Sequence, residues 1–285
     1  MSLATLIPVR RMCELTQVSR AGFYRWRQAA PAVVADEMDL RDEVQRIALE
    51  DPCYGWRRVT HQLRKLGWRV NHKRVRRIMR EDNLLCVRKR KFVVTTDSNH
   101  GRQVYENLAQ QMTLTDINQL WVADITYIRL ETEFVYLAVV IDAFSRRVIG
   151  WELDRTLEDD LPLAALRMAL VLRQPAPDLV HHSDRGGQYA SGEYTALLKE
   201  HGCQISMSHK ASPWENARCE SWMKTLKTEE VYRQEYRDLA EARASVTHFI
   251  DQVYNQKRMH SALDYRSPVE FEQSLTAPGG AEVRA

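Results

Sequence analysis

After Leu120 the hydrophobic period changes, and this change constrains the architecture more than any single residue does. Before it, apolar residues recur every three or four positions, as on one face of a helix. After it they come in blocks dense in valine, isoleucine, tyrosine and phenylalanine, as in strands. Trp121 to Leu130, Phe134 to Ile141 and Ser145 to Leu153 are three such runs with short turns between them, the pattern of an antiparallel meander. Leu157 to Arg173 returns to an amphipathic helix, Asp178 to His182 reads as a short buried strand and Ser191 to His201 as a helix. Gln204 to Ser208 reads as another strand, and a long helix is expected from Asn216 toward Tyr236. Strands first in series and then alternating with helices make an α/β order.

Charge is distributed as unevenly as the period. The net charge of +3 conceals a front section, residues 1–100, with 21 Lys and Arg against 11 Asp and Glu, and a remainder with 20 against 27. Between Tyr54 and Phe92, 14 basic residues face only Glu81 and Asp82. Such a segment joined to a different kind of domain points to nucleic acid as the partner. An apolar-periodic stretch (Ile7, Val9, Met12, Leu15) precedes Ser19, which is placed to cap a helix carrying Phe23, Tyr24 and Trp26; two short helices about a turn suggest a helix-turn-helix, with a small packing helix pair as the equal alternative. Ala29 to Ala35 reads as a linker, Asp36 to Glu50 as a helix, and Asp51 to Gly55 as a break. Trp56 to Leu66 resumes with Val59, Leu63 and Leu66 on one face, and Gly67 stops it. Asn71 then caps a helix in which Val75, Ile78 and Met79 form the buried stripe while Lys73, Arg74, Arg76, Arg77 and Arg80 cover the rest. With Arg57 and Arg58 these residues form the candidate duplex-binding surface, because a face that served only solubility would be mixed with acids.

Other classes are disfavoured. The 285 residues are 44% apolar and 28% charged, ordinary for a soluble chain of two or three folded units. The longest apolar runs, such as Phe134 to Ile141, fall far short of the ~20 residues of a membrane-spanning helix, and the N-terminus lacks the pattern of a secretory signal. Five scattered cysteines (Cys13, Cys53, Cys86, Cys203, Cys219) without close pairs read as reduced thiols of a cytoplasmic protein, not as a zinc site.

Three carboxylates stand where chemistry would be done. Asp124 lies among apolar and β-branched residues of the first strand, where a lone carboxylate is costly unless paired or bound to metal. Asp184 ends Leu-Val-His-His-Ser-Asp and is followed by Arg185, Gly186 and Gly187, which allow close backbone approach. Glu220 comes from the helix near Asn216; at about 100° per residue Asn216, Glu220, Lys224 and Lys227 share a stripe from which Glu215 points away. One face thus offers an amide, an acid and two ammonium groups, suited to gripping and attacking a phosphate backbone. Asp142 reads as a turn cap between two strands, with contact to metal as the alternative. His181 and His182, being adjacent, point to opposite faces of their strand and cannot share a ligand. Tyr254 to His260 either touches DNA or braces the catalytic helix.

The residues around these acids resemble those of one family. Trp121 to Tyr127, Ile141-Asp142-Ala143-Phe144-Ser145-Arg146, His182 to Tyr189, Asn216-Ala217 with Glu220-Ser221, and Tyr254-Asn255 with Arg258, His260, Ser261, Leu263, Tyr265 and Pro268 resemble the second-frame product of insertion-sequence transposases of the IS-three family. Tyr54 to Arg58 and Asn71 to Val75 fit the family's N-terminal module, so the likeness covers nearly the whole chain. The 35 residues between Asp184 and Glu220 match a spacing the family shares with retroviral integrases; Gly187, where Ser or Thr is frequent, departs from the pattern. The resemblance implies an α/β, RNase H-like, integrase-type catalytic core preceded by small all-α helix-turn-helix modules. The expected division is a helix-turn-helix segment at 1–30, a basic DNA-binding module at 36–85 and a linker at 86–112. A core at 113–236, a helical extension at 237–273 and a flexible tail at 274–285 follow. It implies strand cleavage and strand transfer by Asp124, Asp184 and Glu220 holding two Mg²⁺, with Mn²⁺ as a substitute. It also implies double-stranded DNA as substrate, a homo-oligomer on that DNA, and fusion or association with an upstream-frame helix-turn-helix protein. A simple metal-dependent nuclease and a non-catalytic DNA-binding relic of the same fold are the alternatives.

Overall fold

A computed structural model describes residues 8–27, 31–84, 103–209 and 212–276, and the chain divides into two units, 1–87 and 88–285. Residues 86–102 of the expected linker and 277–285 of the expected tail lie outside the described residues. In the first unit, α1 (Val9–Thr16) and α2 (Arg20–Arg27) flank a turn in which Gln17 takes a left-handed conformation and Ser19 Oγ accepts from Gly22 N at 3.1 Å, the expected cap. The buried residue of α1 is Cys13, while Leu15 is 63% exposed, so its packed face is rotated from the expected stripe.

Next come α3 (Pro31–Glu50), α4 (Trp56–Lys65) and α5 (His72–Glu81). The helix α3 begins inside the segment read as a linker. Proline suits a first helical position because the N–H it lacks would have no partner there. Leu40, Val44 and Ile47 of α3 form a core with Val59 and Leu63 of α4 and with Val75, Ile78 and Met79 of α5. Leu66 is exposed instead, because the chain leaves α4 at Gly67 (φ 90°) and Trp68 N returns to Leu63 O at 2.9 Å. Asn71 caps α5 as expected, its side chain accepting from Lys73 N at 2.8 Å.

The second unit is built on five strands: β1 (Leu120–Arg129), β2 (Phe134–Asp142), β3 (Val148–Asp154), β4 (Val180–Ser183) and β5 (Gln204–Met207), in the order β3-β2-β1-β4-β5. The first three pair antiparallel, whereas β4 pairs parallel with both β1 and β5. On one face, α6 (Asp160–Arg173) and α7 (Gly192–Glu200) pack on Trp121, Ala123, Ala138, Val140 and Ile149. There a Cβ on Gly150 would fall 2.1 Å from Ala165 O, so this close helix–sheet approach requires glycine. On the other face, α8 (Ala217–Glu229) and α9 (Leu239–His248) cover Leu120, Val122, Ile128, Val139 and Ile141.

The helix α8 ends earlier than expected. A short 3-10 turn, Val231–Arg233, follows, and the chain bends so that Tyr236 is buried in this core and its carbonyl accepts from Glu131 N at 2.9 Å. After α9 comes a π-helical turn (Phe249–Tyr254), and α10 (Pro268–Thr276) closes the described chain. Among the described residues no helix is long and apolar enough to cross a membrane.

Candidate active site

Strand register brings the two aspartates together. In the parallel pairing Trp121 lies opposite His181 and Val122 opposite His182, so two residues further on Asp124 stands level with Asp184. With β4 ending at Ser183, the edge of β1 is open from Ala123 onward, and α8 closes it. Asn216 Nδ2 donates to Ala123 O at 3.0 Å. Asn216 was expected at the DNA surface; it is instead 5% exposed and acts as the brace that seats the start of α8 on β1. One turn later Glu220 is exposed, with its charge in the field of Asp124.

Asp124 Oδ1 accepts one hydrogen bond, from Ile125 N at 2.9 Å, and among the described residues it has no ion pair. Burial pushes its pKa up to about 8, and the negative charges of Asp184 and Glu220 push the same way; the Ile125 amide and the Lys227 ammonium act against them. Asp184 Oδ1 accepts from Gly186 N at 2.8 Å, and a Cβ on Gly186 would come within 2.9 Å of that oxygen. The expected role of this glycine in allowing close approach therefore has a definite neighbour.

The lysine stripe divides. Lys224 is exposed, whereas Lys227 is half-buried with Nζ 4.5 Å from the centre of the Tyr127 ring; burial lowers its pKa, and Asp124 partly opposes that. Tyr189, unnoticed in the sequence, is buried with no hydrogen-bond partner for its hydroxyl among the described residues. Burial first, and then Tyr194, Asp124 and Asp184, hold that phenol far above its ordinary range. Its place at the end of Gly186-Gly187-Gln188-Tyr189, a short 3-10 turn after Asp184, was the available signal.

The remaining expectations resolve on contacts. Asp142 is a turn cap: Oδ1 accepts from Phe144 N and Ser145 N, both at 2.9 Å, and Oδ2 from Asn118 N at 2.7 Å. His181 meets Tyr194 Oη at 3.0 Å and His182 Nδ1 meets Ser206 Oγ at 2.9 Å, on opposite sides of the strand; burial lowers their pKa values to about 3 and about 4, so both are neutral. Tyr254 to His260 braces the core. Asn255 bonds the backbone N–H and C=O of Val148, each at 3.0 Å, and Arg258 forms a bidentate pair with Glu229 of α8 at 2.6 and 2.7 Å.

The donor set suits a divalent cation. A half-buried carboxylate without an ion-pair partner among the described residues, level with a second and in the field of a third, is an all-oxygen arrangement that a hard ion would relieve. Among the described residues no three His, Cys, Asp or Glu side chains surround one point.

In the N-terminal unit the basic surface is partly neutralised, contrary to the expectation of few acids. Arg77 pairs with Glu37 at 2.8 Å and Glu81 at 3.1 Å, and Arg74 lies 3.8 Å from Glu37. Lys73, Arg76 and Arg80 are exposed and form no ion pair among the described residues. Arg57 lies over Trp56 and Arg58 over Tyr54, at 4.6 and 5.3 Å from the ring centres, and Trp56 stacks on His72 at 5.3 Å.

Comparison with known proteins gives matches along most of the chain. Residues 35–92 match the model of an HTH-like domain, and residues 115–213 and 201–268 match two models of an integrase core domain. Transposase InsF for insertion sequence IS3A of Escherichia coli K12 is 36% identical over 94% of this chain and 95% of its own length. The insertion element IS600 uncharacterized 31 kDa protein of Shigella sonnei is 36% identical over 92% and 97%. Among solved structures, the HTLV-2 integrase catalytic core domain in complex with magnesium aligns with TM-score 0.41 at 17% identity over 54% of this chain and 95% of that one. A chain of the simian T-cell lymphotropic virus intasome in complex with PP2A regulatory subunit B56 gamma aligns with TM-score 0.47 at 16% identity over 83% and 75%.

Proposed function

The chain belongs to the IS-three family of insertion-sequence transposases, and on that footing we propose that it cleaves and joins DNA strands at a metal centre held by Asp124, Asp184 and Glu220. The observation that carries the proposal is the parallel register setting Asp124 level with Asp184 at the strand edge that α8 closes. Carboxylate oxygens suit Mg²⁺ or Mn²⁺. A pair of such ions, when bound, would activate the attacking oxygen and stabilise the leaving one.

The protein's own groups do the positioning. Asn216 fixes the start of α8 on β1, Gly186 N orients the Asp184 carboxylate, and Arg258 clamps the far end of α8 through Glu229. Lys224, exposed one turn beyond Glu220, is placed to meet the phosphate backbone; Lys227, turned inward over Tyr127, tempers the negative charge at Asp124. The basic face of α5, led by Lys73, Arg76 and Arg80 and with Arg57, Arg58, Arg74 and Arg77 around it, supplies duplex affinity. The working species is a homo-oligomer on the element ends, in association with an upstream-frame helix-turn-helix protein.

The test is a cleavage and strand-transfer assay on a duplex carrying an element end. Joined products support a transposase. Hydrolysis without joining would leave a nuclease, and inert protein that still binds the duplex would leave a DNA-binding relic.

A further inference from the structure

Beside the carboxylates, and not among them, a cavity of about 260 Å³ is lined by Leu120 and Val122 of β1, Ala109, Glu215, Ala217, and two arginines, Arg146 of the β2–β3 turn and Arg218 of α8. Both guanidinium groups are half-buried, and among the described residues neither forms an ion pair. Arg218 Nε is buried with no hydrogen-bond partner among the described residues. The two cations also sit in each other's field, so Arg218 bears burial and like-charge repulsion together. The nearby carboxylates are engaged elsewhere. Asp142 is filled by backbone N–H groups, Glu215 Oε2 accepts from Asn107 Nδ2 at 2.8 Å and from His209 N at 2.6 Å, and Glu215 Oε1 meets His209 Nδ1 at 2.9 Å.

A third donor stands alongside. His182 is fully buried, level with Val122 on the adjoining strand and in the field of Glu215 and Arg218. Ser206 Oγ accepts from Leu108 N at 2.9 Å, leaving its own hydrogen for His182 Nδ1; the neutral ring therefore carries its proton on Nε2, which has no partner among the described residues. Arg146 itself is held in the left-handed region (φ 63°), where asparagine or glycine would sit at less cost.

Folded proteins pair their buried charges, and a site that leaves two cations and a ring N–H unpaired is built for a ligand of opposite sign. We propose that this cavity is an oxyanion site in which Arg146 and Arg218 hold a phosphate group. Its volume lies below the roughly 300–1,000 Å³ of pockets that take drug-sized molecules, and suits a tetrahedral anion with a few waters. Planar guanidinium forks match phosphate oxygens in pairs. Val122 and Asp124 are about 7 Å apart on one face of β1, so a phosphate held here lies within reach of the strand being cut. That last step rests on the proposed function; binding of the anion does not.

The test uses the full chain and inorganic phosphate in buffer free of other oxyanions. At about ten times Kd, phosphate should raise the wild-type Tm by roughly 3–6 °C. Arg146→Gln and Arg218→Gln should each lose that rise while unfolding at or above the wild-type Tm without phosphate, since fewer unpaired charges are then desolvated. Arg218→Lys should recover part of the rise. An end-bearing duplex in EDTA should bind each Gln variant about tenfold more weakly than wild type, and phosphate should compete with it for wild type alone. Absence of any phosphate effect on the wild type, or Gln variants that unfold below it, would overturn the site and leave the arginines structural. Phosphate binding with duplex affinity unchanged in the variants would keep the site, assign it to free phosphate, and leave the transposase reading untouched.

Discussion

Replacing Asp124 with asparagine removes a half-buried carboxylate that stands in the field of two other negative charges. In metal-free protein the Asp124 carboxyl holds its proton to about pH 8, against an ordinary value near 3.8. Between these limits the folded state binds more proton than the unfolded state, so wild-type stability falls as pH rises; below about pH 4 the penalty is absent, and above about pH 8 it is constant. The greatest slope for one group is about 1.4 kcal/mol per pH unit, which gives Asp124→Asn an advantage that grows by up to about 2.7 kcal/mol between pH 5 and pH 7. Urea unfolding of both proteins in EDTA at pH 5, 6 and 7 measures it. Asp184→Asn should shrink the wild-type decline, because Asp184 is the largest negative neighbour, and Mg²⁺ should offset it by taking the place of the proton. An advantage of constant size across the three pH values would show that Asp124 is neither desolvated nor close to Asp184, and the reasoning would fail.

Three further outcomes are expected. Glu220→Gln should abolish cleavage while Glu215→Gln, whose oxygens face Asn107 and His209, retains most of it; the reverse result in a strand-transfer gel would move the third carboxylate to another face of the helix. Arg258→Met removes the bidentate pair with Glu229 and should cost about 3–5 kcal/mol in urea unfolding, much of it restored when Glu229 is also made Met; no loss would mean the bidentate pair is not formed in solution. Arg76→Gln should weaken duplex binding and lower the slope of log affinity against log salt by about 0.9, whereas Arg77→Gln, already neutralised by Glu37 and Glu81, should change it little; equal slopes would refute the division.

The strand pattern was legible because both faces of the sheet are covered, so β1 to β3 come as dense apolar and β-branched blocks, and the caps at Ser19, Asn71 and Asp142 because each needs one side-chain oxygen at one place. Helical spacing located Glu220, Lys224 and Lys227 on one stripe, yet could not tell which of them the neighbouring strand would draw inward. Lys227 goes to Tyr127 and Asn216 to Ala123 because β4 stops short and the edge of β1 needs partners, a fact of pairing length that no local window contains. One of the two acids that neutralise Arg77 escaped notice for a related reason: Glu37 stands 40 residues away on α3, and only helix packing brings it near. Tyr236 was drawn into α8 by continuity of pattern, whereas its burial against the β1–β2 hairpin takes it out of the helix.

The three carboxylates come from three elements far apart along the chain, and this has a bearing on synthesis. The helices of the N-terminal unit are complete at Glu81, and Glu220 follows 139 residues later. At ~5–20 residues per second, a ribosome takes roughly 7–28 s to cover that interval. Throughout it the emerging polypeptide carries its basic helices but lacks Glu220, and it gains Asp124 and Asp184 only on the way. On the proposed function, a product that stops before α8 would keep the basic helices of the N-terminal unit without the acid that completes the metal centre.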